Sequence, residues 1–151
     1  MNVVELDGIT VVRGGSTLVD RVSWSIEAGA HAALLGANGS GKTTLLKVLT
    51  GYEWPTSGRV RVLDHAYGDC DLRTLRKHIG WVSSAMERRI LPASSARDVV
   101  GTGFDAALAL YRRLSAEEIA LSEAQLRELG VGSFADRAFG LLSQGEQKRV
   151  L

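Results

Sequence analysis

Residues 36–43 read Gly36-Ala37-Asn38-Gly39-Ser40-Gly41-Lys42-Thr43, the pattern G-x-x-x-x-G-K-[ST]. Ahead of this stretch runs an apolar segment, His31-Ala32-Ala33-Leu34-Leu35. Behind it, Leu45, Leu46, Val48 and Leu49 recur at helical spacing up to Gly51. A buried strand before and a helix after is the context in which a glycine-rich loop curls its backbone N–H groups around an anion. The helix start adds roughly half a positive charge at the same place. Lys42 is long enough to reach β- and γ-phosphates, and the Thr43 hydroxyl can ligate Mg²⁺. The stretch therefore predicts a nucleoside triphosphate site made by Gly36, Ala37, Asn38, Gly39, Ser40, Gly41, Lys42, Thr43 and Thr44.

The rest of the composition narrows the setting. A length of 151 residues suits one domain with a real core. Hydrophobic residues make up 45%, which argues against disorder. Lys plus Arg (18) against Asp plus Glu (17) leaves a net charge of +1, so no field draws the chain to nucleic acid or to an acidic membrane surface. The lone Cys70 excludes an internal disulfide and suits a reducing cytosol. Glu5 and Asp7 interrupt the start, so no secretory signal is visible, and Asp105 breaks the nearest long apolar run, residues 99–110. A membrane role would come through a partner.

Outward from the loop, the earlier residues alternate. Val22, Trp24 and Ile26 point one way and Ser23, Ser25 and Glu27 the other, as in a half-buried antiparallel strand. Residues 3–12 form a second β-rich stretch, and Gly14-Gly15 supplies the turn after it. After the loop helix, Pro55-Thr56-Ser57-Gly58 signals a turn into an edge-like strand in which Val60 and Val62 alternate with arginines. Leu72, Leu75 and Ile79 fall on one face of a short helix opened by Asp69 or Asp71. Ile79-Gly80-Trp81-Val82 reads as a core strand. From about Pro92 the pattern turns helical. Ser115-Ala116-Glu117-Glu118 is a capping box, opening a helix that buries Ile119, Leu126 and Leu129 and ends at Gly130. His31, His65 and His78 are scattered and suggest no metal site. Arg112-Arg113 and Lys148-Arg149 read as solvated helix faces.

A second motif follows the helical block: Leu142-Ser143-Gln144-Gly145-Glu146-Gln147. Ser143 and Glu146 form another capping box, and Gly145 allows close approach of an anion or a second backbone. Taken with the phosphate loop, this resembles the Leu-Ser-Gly-Gly-Gln signature of the ATP-binding cassette (ABC) ATPases. The order of segments and the Pro55-Thr56-Ser57-Gly58 turn are also similar to that family, over essentially the whole chain. The resemblance implies an α/β P-loop NTPase of the ABC ATPase type, with an antiparallel β subdomain and a helical signature subdomain. It places the β subdomain and P-loop core at about 1–90, the helical subdomain at about 91–142, and the signature with the start of its helix at 142–151. It further implies ATP and Mg²⁺ as ligands and a head-to-tail dimer with a second ABC ATPase subunit. In that dimer Ser143, Gln144, Gly145 and Glu146 face the γ-phosphate on the partner's loop. Transporter membrane subunits are implied as further partners, with a cytoplasmic, peripheral location on the inner face of the membrane and no nucleic acid.

The chain departs from the family pattern in several places. Where the family places an aromatic residue to stack on adenine stands Arg13. A guanidinium plane can also stack on a base, and an exposed arginine at a hairpin is the alternative. Where a glutamine normally helps hold Mg²⁺ and senses the membrane subunit stands Ser84. Arg13, Ser83-Ser84 and Leu-Ser-Gln-Gly-Glu together resemble the molybdate-type subgroup. In the family the signature helix is followed by a strand ending in Asp-Glu, the Glu being the general base. The sequence given stops at Leu151, before that strand, so the residues as given are expected not to hydrolyse ATP competently. They are also expected to fold marginally, since the family's neighbours of the phosphate-loop strand come later. The leading reading is thus the ATP-binding subunit of an ABC transporter, hydrolysing ATP in its full-length form. The alternatives are a truncated or non-catalytic nucleotide-binding fragment, and a soluble ABC protein of the translation-factor or DNA-repair type.

Overall fold

Two long strands and a glycine turn organise the front of the chain. In the computed structural model, which describes residues 1–83 and 87–151, β1 (Asn2–Arg13) and β2 (Ser16–Glu27) pair antiparallel. Gly14 and Gly15 both take positive φ (54° and 77°), the geometry of a two-residue hairpin turn whose twist matches the strands. β3 (Ser57–Val62) pairs with the other side of β1, and the two-residue β4 (His65–Ala66) pairs with β3. The sheet order is β2-β1-β3-β4. β3 is therefore an edge along most of its length, as its alternation with arginine predicts. Its two arginines are placed by register: Arg61 pairs with Glu5 and Arg59 with Asp7.

The inner face of this sheet buries Leu6, Ile9, Val11, Val19, Val60 and Val62. Against it lie Leu45, Val48 and Leu49 of α1 (Lys42–Leu49), together with Leu72 and Leu75 of α2 (Leu72–Arg76). Asp71, not Asp69, caps α2, accepting a bond from the Arg73 N–H at 2.8 Å. Tyr67 donates its hydroxyl proton to the Val48 carbonyl, tying the segment after β4 to α1. Ile79 lies beyond the end of α2 and still packs on this core.

Among the described residues, two predicted strands do not form. Residues 31–35 and 79–82 carry no ladder: His31, Ala32, Ala33 and Leu35 are exposed, Leu35 at 89%, and Val82 is 64% exposed. A parallel strand takes its hydrogen bonds from neighbours in its own sheet. Among the described residues neither stretch joins the sheet, so apolar sequence alone does not make them strands.

The chain divides into two compact units, Met1–Ile79 and Gly80–Leu151. The second is helical. Ser95 caps α3 (Ala96–Gly101), and the Ser115–Glu118 capping box opens α4 (Ala116–Glu128) as the sequence predicts. Leu126 is fully buried and Ile119 partly so, but Leu129 is 49% exposed because α4 ends at Glu128 and the chain turns at Gly130. Leu126, Val99, Val131, Phe139, Leu142 and Val150 share one core. Arg112 is not on a helix face. It lies in the segment before α4 and grips Asp105 and Glu118 with paired hydrogen bonds of 2.6–3.2 Å.

Candidate functional site

The phosphate loop is shaped by its own glycines and by β2. Gly41 sits at φ +86° as the N-cap of α1, a backbone region costly for residues with a Cβ. A Cβ there would also stand 2.3 Å from the Leu18 carbonyl oxygen and 3.2 Å from Val19 Cγ2. β2 thus braces the loop from behind. The Leu45 N–H donates to the Gly41 carbonyl at 2.8 Å, closing the first turn of α1. No side chain caps that turn. Its leading N–H groups are the orphan donors that a helix start offers to an anion.

Lys42 is the first residue of α1, and its ammonium is already inside the loop. Nζ donates to the carbonyls of Gly36 (2.8 Å) and Ala37 (2.6 Å), while the Ser40 N–H donates to Ala37 O at 3.2 Å. Gly36 packs under this arrangement, since a Cβ on it would lie 2.8 Å from Ser40 Oγ. Asn38, Gly39, Ser40 and Thr43 are exposed and Thr44 is partly buried. A cavity of about 230 Å³ opens beside the loop, bounded by Leu18, Val22, Leu34, Ser40 and Lys42. The ammonium and the uncapped helix start fit a polyphosphate; the adjoining cavity is largely apolar and also carries Asp20. The Thr43 hydroxyl, exposed on the first turn, has the oxygen chemistry that Mg²⁺ prefers.

Arg13 ends β1. Its Nη1 donates to the Val12 carbonyl at 2.8 Å, and its Nη2 donates to the Trp54 carbonyl at 2.9 Å and pairs with the Glu53 carboxylate. Trp54 and Glu53 lie some forty positions away, and no local sequence signal points to them. The brace from Leu18 to Gly41 was equally invisible, because it is a contact of main chain with main chain. Ser84, the expected second Mg²⁺ ligand, lies outside the described residues.

In the second unit the signature opens α5 (Gln144–Val150). Leu142 is buried, 6% exposed, in the same core as Val150, so the motif is anchored at both ends. The Ser143 N–H donates to Glu146 Oε2 at 2.6 Å, and Ser143 Oγ accepts from the Glu146 N–H at 3.4 Å. The Ser143 N–H foremost, and next the Ser143 hydroxyl, hold the Glu146 carboxyl below its ordinary range. Ser143, Gln144 and Gly145 are exposed. A Cβ on Gly145 would meet nothing within 4 Å, so the unit's own packing does not require glycine there.

A phosphate loop on an α/β unit and a capped Ser-Gln-Gly-Glu helix start define a P-loop nucleotide-binding protein of the cassette class. The family model for ABC transporters matches residues 19–151, and the chain belongs to that family. It is 37% identical over 150 residues to the uncharacterized ABC transporter ATP-binding protein YlmA of Bacillus subtilis (strain 168), covering 99% of this chain and 57% of the relative. It is also 37% identical over 149 residues to the hemin import ATP-binding protein HmuV of Bordetella pertussis, covering 94% of this chain and 52% of that protein. Among solved structures it is similar to the ATP-binding cassette MJ0796, in a dimeric post-hydrolysis state bound to ADP and Pi. That match has a TM-score of 0.79 at 25% identity, over 97% of this chain and 66% of the other. The chain spans a little over half the length of the curated relatives it matches. Among the described residues, no helix is long and apolar enough to cross a membrane.

Proposed function

We propose that this chain is the nucleotide-binding part of an ABC transporter ATPase. It binds Mg²⁺–ATP on residues 36–44, and as part of the whole protein it hydrolyses ATP to drive transport through separate membrane subunits. The observation that carries the reading is the position of Lys42 Nζ, 2.8 and 2.6 Å from the Gly36 and Ala37 carbonyls at an uncapped helix start. The ammonium and the uncapped first-turn N–H groups lie together there, and a triphosphate tail would take the ammonium over from the two carbonyls. When bound, Mg²⁺ offsets phosphate charge, and Thr43 is the described residue that would hold it, with Ser84 as the second candidate. Arg13 is the candidate contact for the base.

Ser143, Gln144 and Gly145 are exposed and the unit's own packing does not require glycine at 145, which supports their use across a head-to-tail pair, on the γ-phosphate held by a second subunit's loop. Glu146 supports that surface by closing the cap behind Ser143. The dimeric cassette among the structural neighbours is in keeping with this arrangement. A peripheral position on the cytoplasmic face of the membrane follows from the same reading. One relative is named for hemin import and the other names no cargo, so the reading assigns none. The molybdate-type resemblance finds no support among these relatives.

Lys42→Ala is expected to abolish Mg²⁺–ATP binding, measured by the fluorescence of a nucleotide analogue. Unchanged affinity would overturn the reading.

A further inference from the structure

We infer that Glu53 is a positioning residue for the nucleobase: with the Trp54 carbonyl it fixes the plane of the Arg13 guanidinium, making a flat platform for the base of a nucleoside triphosphate. The inference rests on the phosphate-loop reading above and adds a residue to it.

Placement comes from the strand. Ile9, Val11 and Arg13 are spaced two apart along β1 and so share one face of the sheet. Ile9 and Val11 are buried in the same cluster as Leu45 and Val48 of α1, so Arg13 ends the row that faces the phosphate-loop helix. Arg13 pairs with Ser16 across the hairpin, and Leu18, two residues further along β2, braces Gly41. Two strand steps and one crossing between strands put Arg13 on the order of 10 Å from the loop. A ribose and an α-phosphate can bridge that gap.

Orientation comes from the hydrogen bonds. Guanidinium N–H groups donate in the plane of the group. The Val12 carbonyl, the Trp54 carbonyl and the Glu53 carboxylate therefore lie along its edge. The Arg13 side chain is 47% exposed, so part of it is accessible to a ligand. Arginine is rich in rotamers, and a carboxylate that holds it flat removes that freedom before the base arrives. The same contacts also tie β1 to the segment after α1, so the test has to read the base as well as the fold.

Calorimetry of the protein with Mg²⁺–ATP and with Mg²⁺–tripolyphosphate, which has the phosphates and no base, separates the two roles. Glu53→Ala is expected to weaken ATP about tenfold, within the range that base stacking contributes, and to leave tripolyphosphate within about twofold. Glu53→Gln, whose amide oxygen accepts the same bond, should restore most of the loss. Arg13→Lys, which keeps the charge and loses the plane, should behave like Glu53→Ala. Equal weakening of both ligands, or unchanged ATP affinity in Glu53→Ala, overturns the platform while leaving the phosphate loop standing. Failure of the unaltered protein to bind either ligand overturns the phosphate-loop reading, and the platform with it.

Discussion

Gly41 and Leu18 touch main chain to main chain: a Cβ on Gly41 would stand 2.3 Å from the Leu18 carbonyl oxygen. Neither partner can yield as a flexible side chain would, and Gly41 also sits at φ +86°. Gly41→Ala meets a left-handed penalty of about 1–2 kcal/mol, and an overpacking cost of about 1–3 kcal/mol on top of it. Urea unfolding should show at least ~2 kcal/mol of lost stability, together with a weaker triphosphate affinity. A variant as stable as the parent would mean the brace is soft.

Gly145 is the opposite case, a glycine with nothing around it. Alanine is the better helix former there by roughly 0.5–1 kcal/mol. Gly145→Ala should therefore melt at the same temperature as the parent or slightly higher. Under the proposed function it should lose ATP-dependent pairing, read by sedimentation with and without nucleotide. Pairing at parental strength would place the signature glycine outside any interface.

Acid should loosen the helical unit through Glu118. Its carboxyl is held down from 4.5 to about 2, chiefly by Arg112 and next by the Ser115 N–H. A depressed folded value means a stabilising contribution that is complete above the unfolded value and lost as pH falls. The loss should thus run from about pH 4.5 down towards 2. Glu118→Gln should flatten that acid limb in melting curves taken across the range; an unchanged limb would assign it to other carboxylates.

Tyr67 governs the alkaline side. Burial pushes its hydroxyl from 10.0 to about 12, and the hydroxyl donates to the Val48 carbonyl. A raised folded value means stability intact below pH 10 and lost as pH climbs towards 12. Ultraviolet titration should find one tyrosine ionising well above the others. Tyr67→Phe should remove that step and cost about 1 kcal/mol, the net worth of one hydrogen bond. If all tyrosines titrate together, the hydroxyl is more open to water than the geometry implies.

Features carried by neighbours in sequence were legible in advance. The Gly14-Gly15 hairpin, the caps at Ser115 and Ser143, and the phosphate-loop helix each depend on residues within a few positions of one another. Legibility failed where the deciding partner is distant. Residues 31–35 and 79–82 have the composition of buried strands, but a parallel strand exists only through its neighbours, and composition cannot supply them. Leu129 fits a helical stripe, yet it falls where α4 has already ended. Arg112 looked like a solvated charge, and its clasp on Asp105 and Glu118 depends on how the segment before α4 turns. At the site, the loop and signature residues could be named from the sequence. The support for Arg13 from Glu53 and Trp54 could not, because it crosses from β1 to the chain beyond α1.

The bonds from Lys42 to Gly36 and Ala37 have a thermodynamic corollary. A polyphosphate arriving at the loop competes with two carbonyls for the same ammonium, so capture is an exchange of acceptors and not a simple gain. The measured affinity is then a difference between two strong attractions. Replacing the lysine would erase the loop's own internal strut along with its grip on a ligand, and the stability of the ligand-free variant tells the first loss from the second.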